Sequence, residues 1–126
     1  MRSGRTETWR FMVVLAVFSA VALMGGGGEI ARAAPSPDAH LRQGIALYNQ
    51  GRYAQAVEAF RKAIQADPRF SRAYAWLGLA YVKLNQPRPA LEAFRKVVEI
   101  VPNSEDARVA RQWIKRLEAQ LMMFSE

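Results

Sequence analysis

The sequence predicts an all-α fold, a short α-solenoid of two helical hairpins closed by a C-terminal capping helix. Three observations lead to this prediction: a 34-residue internal repeat, apolar residues at helical spacing within each repeat, and glycine or proline where the helices should end. The length of 126 residues and the hydrophobic content of 51% suit one compact unit of this kind.

The first 33 residues differ from the rest of the chain. Three arginines precede an apolar run from Phe11 to Met24, and four glycines and Ala31-Arg32-Ala33 follow it. This order is typical of a secretory signal peptide, with cleavage predicted between Ala33 and Ala34. The run is shorter than the roughly 20 residues that cross a bilayer, but the adjoining glycines and Trp9 leave an uncleaved membrane anchor as the alternative. Either interpretation predicts export, to the periplasm or the outside, with membrane contact only through an uncleaved N-terminal segment.

Residues 34–37 are predicted to be a short linker, because Pro35 and Pro37 disfavour helix in the residues before them. Two repeats follow, at residues 37–70 and 71–104, and ten of their 34 gap-free aligned pairs are identical. A period of this length is the signature of stacked units, each of which cannot bury its apolar face alone.

The first repeat divides into two predicted helices. The first helix, from about residue 38 to 50, should stop at Gly51, because glycine readily adopts the left-handed conformation that follows a helix end. The second helix, from about Tyr53 to Ala66, should end at Asp67-Pro68.

The second repeat has the same organisation, and a fifth helix follows it. Its two helices are predicted at about 71–84 and up to about Val101, with a break at Asn85-Gln86-Pro87 and a stop at Pro102. Ser104 is the predicted N-cap of a capping helix at 105–119, and residues 120–126 are predicted to form a tail.

The second repeat resembles the tetratricopeptide repeat, whose pattern is Trp-x2-Leu-Gly-x2-Tyr, then Ala-x3-Phe, then Pro. The matching residues are Tyr74, Leu77, Gly78, Tyr81, Ala90, Phe94 and Pro102, and the first repeat keeps Gly44, Ala56, Phe60 and Pro68. Glycine should allow a neighbouring helix to approach closely, and the two phenylalanines should fill the space between helices. The resemblance implies a short right-handed α-solenoid over residues 38–119 and a non-catalytic protein–protein interaction module.

The resemblance also implies a peptide groove on the concave face, formed by the first helix of each repeat and by the capping helix. The residues that it places there are Leu41, Ile45, Tyr48, Asn49, Arg72, Ala75, Leu79, Val82, Lys83, Val109, Trp113 and Arg116. This face is mostly apolar with cations at its margin, so we expect a peptide or protein partner with apolar side chains and an acidic end. Tyr48 and Trp113 are the expected anchors.

Two other roles for these apolar residues stay open at this point. They could pack within the chain, or they could make this protein a structural subunit or a homodimer of an envelope complex. A stripe at Ile114, Leu117, Leu121 and Phe124 is predicted to cover the end of the second repeat, with a dimer contact as the alternative.

The formal charge of +7 suggests nucleic-acid binding at first sight. However, the basic residues are scattered over all five predicted helices, and some have acidic partners at i, i+4, such as Glu58 with Lys62 and Glu92 with Lys96. These pairs indicate solvated helix faces, so no nucleic-acid site is predicted.

The sequence contains no motif for catalysis. There is no cysteine, and His40 is the single histidine, expected at the surface or in a helix cap. Neither a nucleophile with its base nor a phosphate-binding loop nor a metal-ligand cluster occurs. We therefore predict neither an enzyme nor a cofactor or metal site.

Overall fold

The computed structural model of this chain describes residues 34–124. This part contains five α-helices and no strand: α1 (Pro37–Asn49), α2 (Tyr53–Ala66), α3 (Ser71–Lys83), α4 (Pro87–Ile100) and α5 (Glu105–Phe124). Each helix packs against the next one, and α3 also contacts both α1 and α5. This nearest-neighbour packing confirms the predicted all-α repeat solenoid.

The predicted signal peptide and its cleavage site after Ala33 concern a segment outside the described residues, except for Ala34. Within residues 34–124, none of the helices combines the length and the apolar character needed to span a membrane.

Two helices begin at a proline that the sequence assigned to a linker or a break. Pro37 is the first residue of α1 and Pro87 the first residue of α4. The predicted linker 34–37 is therefore one residue too long, and the break before α4 ends at Gln86. The physical reason is that the first helical position needs no N–H donor, and proline already has a helical φ. Ser36 caps α1, since its Oγ accepts a hydrogen bond from the Ala39 amide at 3.1 Å.

The turns after α1 and α3 use the same backbone conformation in both repeats. Gly51 has a φ of 77° and Asn85, 34 residues later, a φ of 56°. Both values lie in the left-handed region that glycine and asparagine tolerate best. The predicted ends of these two helices are thus explained by the residues that follow them.

The capping helix is longer than predicted, because α5 continues to Phe124 instead of ending near residue 119. No glycine or proline interrupts this segment, and Leu121 packs against the second core cluster. Ile114 and Leu117 pack there too, as predicted, whereas Phe124 is 81% exposed and contributes nothing to this packing. Residues 120–124 are therefore part of a helix and not a tail.

The core consists of two clusters, one for each repeat. The first surrounds Phe60, which is fully buried among residues of α1, α2 and α3. The second surrounds Phe94, which is 2% exposed among residues of α3, α4 and α5. Tyr81 packs against both clusters, so the two repeats share a continuous apolar interior.

The predicted i, i+4 ion pairs of Glu58 with Lys62 and of Glu92 with Lys96 are not formed. Glu58 instead pairs with Arg61 at 3.5 Å, and Lys96 pairs with Glu99 at 3.0 Å. All these groups are exposed, where alternative pairings differ little in free energy. The sequence correctly indicated solvated faces but not the individual partners.

Candidate functional site

An open cleft of about 190 Å³ lies between α3 and α5, with α4 behind it. The walls of the cleft come from α3 and α5, and the ring of Phe94 from α4 contributes to its lining. The lining residues are Arg72, Ala75, Trp76, Leu79, Phe94, Asp106, Val109, Ala110 and Trp113. Seven of these nine side chains are aliphatic or aromatic, so the cleft suits an apolar group.

The two walls of the cleft are related by the 34-residue period. Each lining residue of α3 has a counterpart 34 positions later in α5, which means that α5 continues the register of the first helices of the two repeats. The four pairs are Arg72 and Asp106, Ala75 and Val109, Trp76 and Ala110, and Leu79 and Trp113. The helices α3 and α5 therefore present equivalent faces side by side.

Ala110 lines the cleft at the register position that Trp76 occupies in α3. At the equivalent place between α1 and α3, Trp76 stacks on Phe60, with ring centroids 6.3 Å apart and planes inclined by 27°. Tyr48 meets the same Trp76 edge-on at 5.4 Å. In α5 this register position carries only the methyl group of Ala110. In the second interface Trp113 stacks on the equivalent ring, Phe94, and the cleft lies beside this pair, over Ala110.

Two glycines set the position of the phenylalanine rings. A Cβ atom built on Gly78 would lie 2.7 Å from Cζ of Phe94, closer than carbon atoms can approach. Gly44 has the same relation to Phe60. These contacts confirm the close helix approach expected from the glycine positions. Through the contact at Gly78, α3 holds the Phe94 ring at the back of the cleft.

Trp113 forms one wall of the cleft and is held from both sides. Its ring stacks on Phe94 with centroids 5.8 Å apart and planes almost parallel, at 4°. The guanidinium carbon of Arg116 lies 5.5 Å from the Trp113 ring centroid on the exposed surface of α5, a cation–π distance. This stacking fixes the indole, so a ligand would meet a preformed wall.

Charged residues lie at both ends of the face that α3 and α5 form around the cleft. Arg72 and Asp106 belong to the first turns of the two helices, and Lys83 and Arg116 lie near the end of the shared face. Among residues 34–124, none of these four takes part in an ion pair within 4.0 Å. Their charges are available to a ligand.

The predicted groove residues divide into three groups. Those that line the cleft are Arg72, Ala75, Leu79, Val109 and Trp113. Those that pack against a core cluster are Leu41, which is 4% exposed, with Ile45, Tyr48 and Val82. Those that are exposed outside the cleft are Asn49, Lys83 and Arg116.

The structure therefore changes the expected anchors. Tyr48 lies between Tyr53, at 5.1 Å, and Trp76, and it serves the packing of the first repeat. Trp76, Phe94 and Trp113 are the aromatic residues that line the cleft. Sequence reasoning missed Trp76, Phe94, Asp106 and Ala110 as lining residues. The period itself could have located Asp106, because adding 34 to position 72 of the predicted groove gives 106.

His40, which was expected at the surface or in a helix cap, is half-buried near the start of α1. Its Nδ1 atom is enclosed without a hydrogen-bond partner in the described part of the chain. The ring occupies the position of Tyr74 in the second repeat, whose hydroxyl donates a hydrogen bond to the Pro68 carbonyl at 3.1 Å. An imidazole is too short to reproduce a phenol at this place. Residues 34–124 contain no cluster of three or more histidine, aspartate or glutamate side chains placed for a metal ion.

Comparison with known proteins agrees with this architecture. Residues 41–105 match the family model described as tetratricopeptide repeat. Tetratricopeptide repeat protein 37 of Xenopus laevis is 32% identical over 85 residues, which are 68% of this chain but 5% of that protein. Small glutamine-rich tetratricopeptide repeat-containing protein 2 of Saccharomyces cerevisiae is 36% identical over 61 residues, 48% of this chain and 18% of that protein.

A solved structure extends the comparison to the fold. The solution structure of a tetratricopeptide repeat domain protein from Salinibacter ruber aligns with a TM-score of 0.62 at 16% identity. The alignment covers 69% of this chain and 92% of that one. The chain thus spans only a small part of these curated relatives and most of one solved repeat domain. On the match of its repeats over residues 41–105, the chain belongs to the tetratricopeptide repeat family.

Proposed function

We propose that this protein is a non-catalytic, exported adaptor or assembly factor that binds a segment of a partner protein in the cleft between α3 and α5. The observation that carries the proposal is the open apolar cleft over Ala110, at the place where the first interface is filled by Trp76. Val109 on its rim is 48% exposed, which makes the cleft accessible from solvent.

The fold supports this role, because tetratricopeptide repeats are protein–protein interaction modules. An apolar cleft with a few charged groups at its margin is the usual form of a peptide site. Burial of apolar side chains would drive binding, because removal of apolar surface from water is favourable. The rigid stack of Phe94, Trp113 and Arg116 would limit the entropy lost on binding.

The proposed export depends on the order of basic, apolar and small residues in residues 1–33. Intact mass spectrometry of the protein from its native host would measure the start of the mature chain. A mass that matches a chain beginning at Ala34 supports export with cleavage. A mass that matches a chain beginning at Met1 would exclude the predicted cleavage site.

The binding proposal can be tested with a library of random twelve-residue peptides displayed on phage and selected on the full chain. Enriched sequences would be synthesised and their dissociation constants measured by isothermal titration calorimetry. We expect Val109→Asp to weaken binding at least about tenfold, because it puts a charge on the apolar rim.

Gln112→Asp is the matched control, since it lies on the same helix, is exposed, and adds the same charge outside the cleft. It should bind like the wild type. Equal affinities of wild type and Val109→Asp would remove the cleft as the binding site. Failure to enrich any peptide would contradict the proposed function itself.

A structural subunit or homo-oligomer is the second candidate function. It is favoured by the last turn of α5, where Met123 is 80% and Phe124 is 81% exposed. Light scattering at micromolar concentration would distinguish the two. A dimer that is lost in Phe124→Ser would support the second function, and a monomer independent of concentration would remove it.

A further inference from the structure

The two ends of the cleft differ in charge. At the beginning of α3 and α5, Arg72 and Asp106 occupy the same register position and carry opposite charges. About three turns further along each helix, Lys83 at the end of α3 and Arg116 in the middle of α5 are both cations. Their positions are equivalent to within one residue, because Arg116 is the counterpart of Val82 in the 34-residue period.

These two cations lie on the continuation of the cleft walls. Lys83 follows Leu79 by one turn, and Arg116 follows Trp113 by three residues, so both belong to the faces that border the cleft. Arg116 is also held over the Trp113 ring, at 5.5 Å from its centroid. Its position is partly fixed before any ligand arrives.

The carboxylates of the described residues do not neutralise this end of the cleft. The three ion pairs within residues 34–124 use Glu58, Glu99 and Glu118. Glu118, the nearest in sequence to Arg116, is bound by Arg95 of α4 at 3.0 Å. An apolar cleft therefore continues into a surface with two cations, neither of which has a carboxylate partner within 4.0 Å among residues 34–124.

We propose that the partner segment places one apolar side chain in the cleft and the carboxylate of an aspartate or glutamate against Lys83 and Arg116. This inference rests on the proposed function, and it adds the chemistry and the direction of the bound segment. The apolar side chain supplies the buried area, and the carboxylate sets the orientation, because charge complementarity contributes mainly to specificity.

The geometry also predicts the spacing between the two groups. Arg116 follows Ala110 by six residues, which is about 9 Å along a helix at 1.5 Å per residue. An extended segment covers this distance in about three residues at 3.3 Å each. We therefore expect the acidic residue two or three positions from the apolar anchor.

The test compares peptides selected by the wild type with those selected by the double variant Lys83→Glu, Arg116→Glu. Peptides displayed at the N-terminus of a phage coat protein have no free C-terminal carboxylate, so any acid must be a side chain. The wild type should enrich an apolar residue with aspartate or glutamate two or three positions away. The double variant should enrich lysine or arginine at that position.

The affinities of one synthetic peptide from the wild-type selection provide the second measurement. Its dissociation constant should rise at least about tenfold for the double variant, and the difference should shrink at about 0.5 M salt, where the Debye length is only a few ångströms. The control is Arg108→Glu with Lys115→Glu, which changes the net charge equally on exposed α5 residues outside the cleft. Its affinity should stay within about threefold of the wild type.

Three results would overturn the inference: enriched peptides without an acidic position, equal affinity of the wild type and the double variant, or an equal loss in the control. Peptides that bind without an acid but still respond to Val109→Asp would leave the proposed function intact and remove only the carboxylate site. A selection that enriches nothing would remove both.

Discussion

Gly78→Ala tests whether α3 must touch the Phe94 ring directly. The new Cβ atom would lie 2.7 to 2.8 Å from three carbon atoms of the ring tip, whereas ordinary contacts begin near 3.4 Å. The ring would have to move by about 0.7 Å. It is 2% exposed and stacked on Trp113, so this shift compresses a packed cluster instead of entering solvent.

Two opposing effects determine the magnitude. Overpacking of a core costs about 1–3 kcal/mol, and three contacts with an immobile ring put this substitution in the upper part of that range. Replacing glycine by alanine inside a helix returns about 1 kcal/mol. We expect the free energy of unfolding to fall by about 1–2 kcal/mol, and Tm by about 5–15 °C for a domain of this size.

Urea denaturation followed by far-UV circular dichroism measures this change. Gln112 occupies in α5 the register position of Gly78 and is exposed there, so Gln112→Gly and Gln112→Ala calibrate the intrinsic difference between the two residues. At position 112 the protein with alanine should be more stable than the protein with glycine. At position 78 the protein with alanine should be the less stable one. In a Phe94→Leu background the penalty of Gly78→Ala should largely disappear. If Gly78→Ala stabilises the wild type as it does at position 112, the proposed ring contact is refuted.

Two further predictions concern helix ends. Ser104→Ala should lower the free energy of unfolding by about 1 kcal/mol in urea denaturation, because Ser104 Oγ accepts the Ala107 amide hydrogen bond at 3.0 Å, and Ser104→Asp should retain most of the stability. An unchanged midpoint in Ser104→Ala would contradict this capping role. Gly51→Ala should cost about 1–2 kcal/mol by thermal and urea denaturation, although no atom lies within 4 Å of the new Cβ, because its φ of 77° is strained for alanine. Gly51→Asn should cost less, and equal stability of all three proteins would exclude backbone strain as the cause.

The local signals in the sequence were sufficient for the helices. Gly51, Asn85 and Ser104 act at helix ends through their own backbone or side-chain chemistry, which does not depend on distant parts of the chain. The boundaries that were wrong have local explanations too. Pro37 and Pro87 begin helices instead of preceding them, and α5 continues because nothing after residue 119 stops it.

The candidate site was predicted only in part, as Leu41, Ala75 and Val109 illustrate. They occupy the same register position in α1, α3 and α5, and the sequence assigned all three to one groove. Leu41 is 4% exposed, Ala75 is half-buried, and Val109 is 48% exposed. Periodicity identifies the face of a helix on which a residue lies, but it does not determine what covers that face.

The sequence by itself determined the repeat, the family pattern and the succession of five helices, and the structure added the pairing of each helical glycine with a phenylalanine. Only the tertiary structure showed that an open cleft lies between α3 and α5. Trp76 reaches across from α3 to Phe60 and Tyr48 in the first interface, whereas in the second Trp113 stacks on Phe94 and the cleft lies beside them, over Ala110. The reason is that a helix's own sequence defines its face, while the free volume between two helices depends on how far side chains from both of them extend.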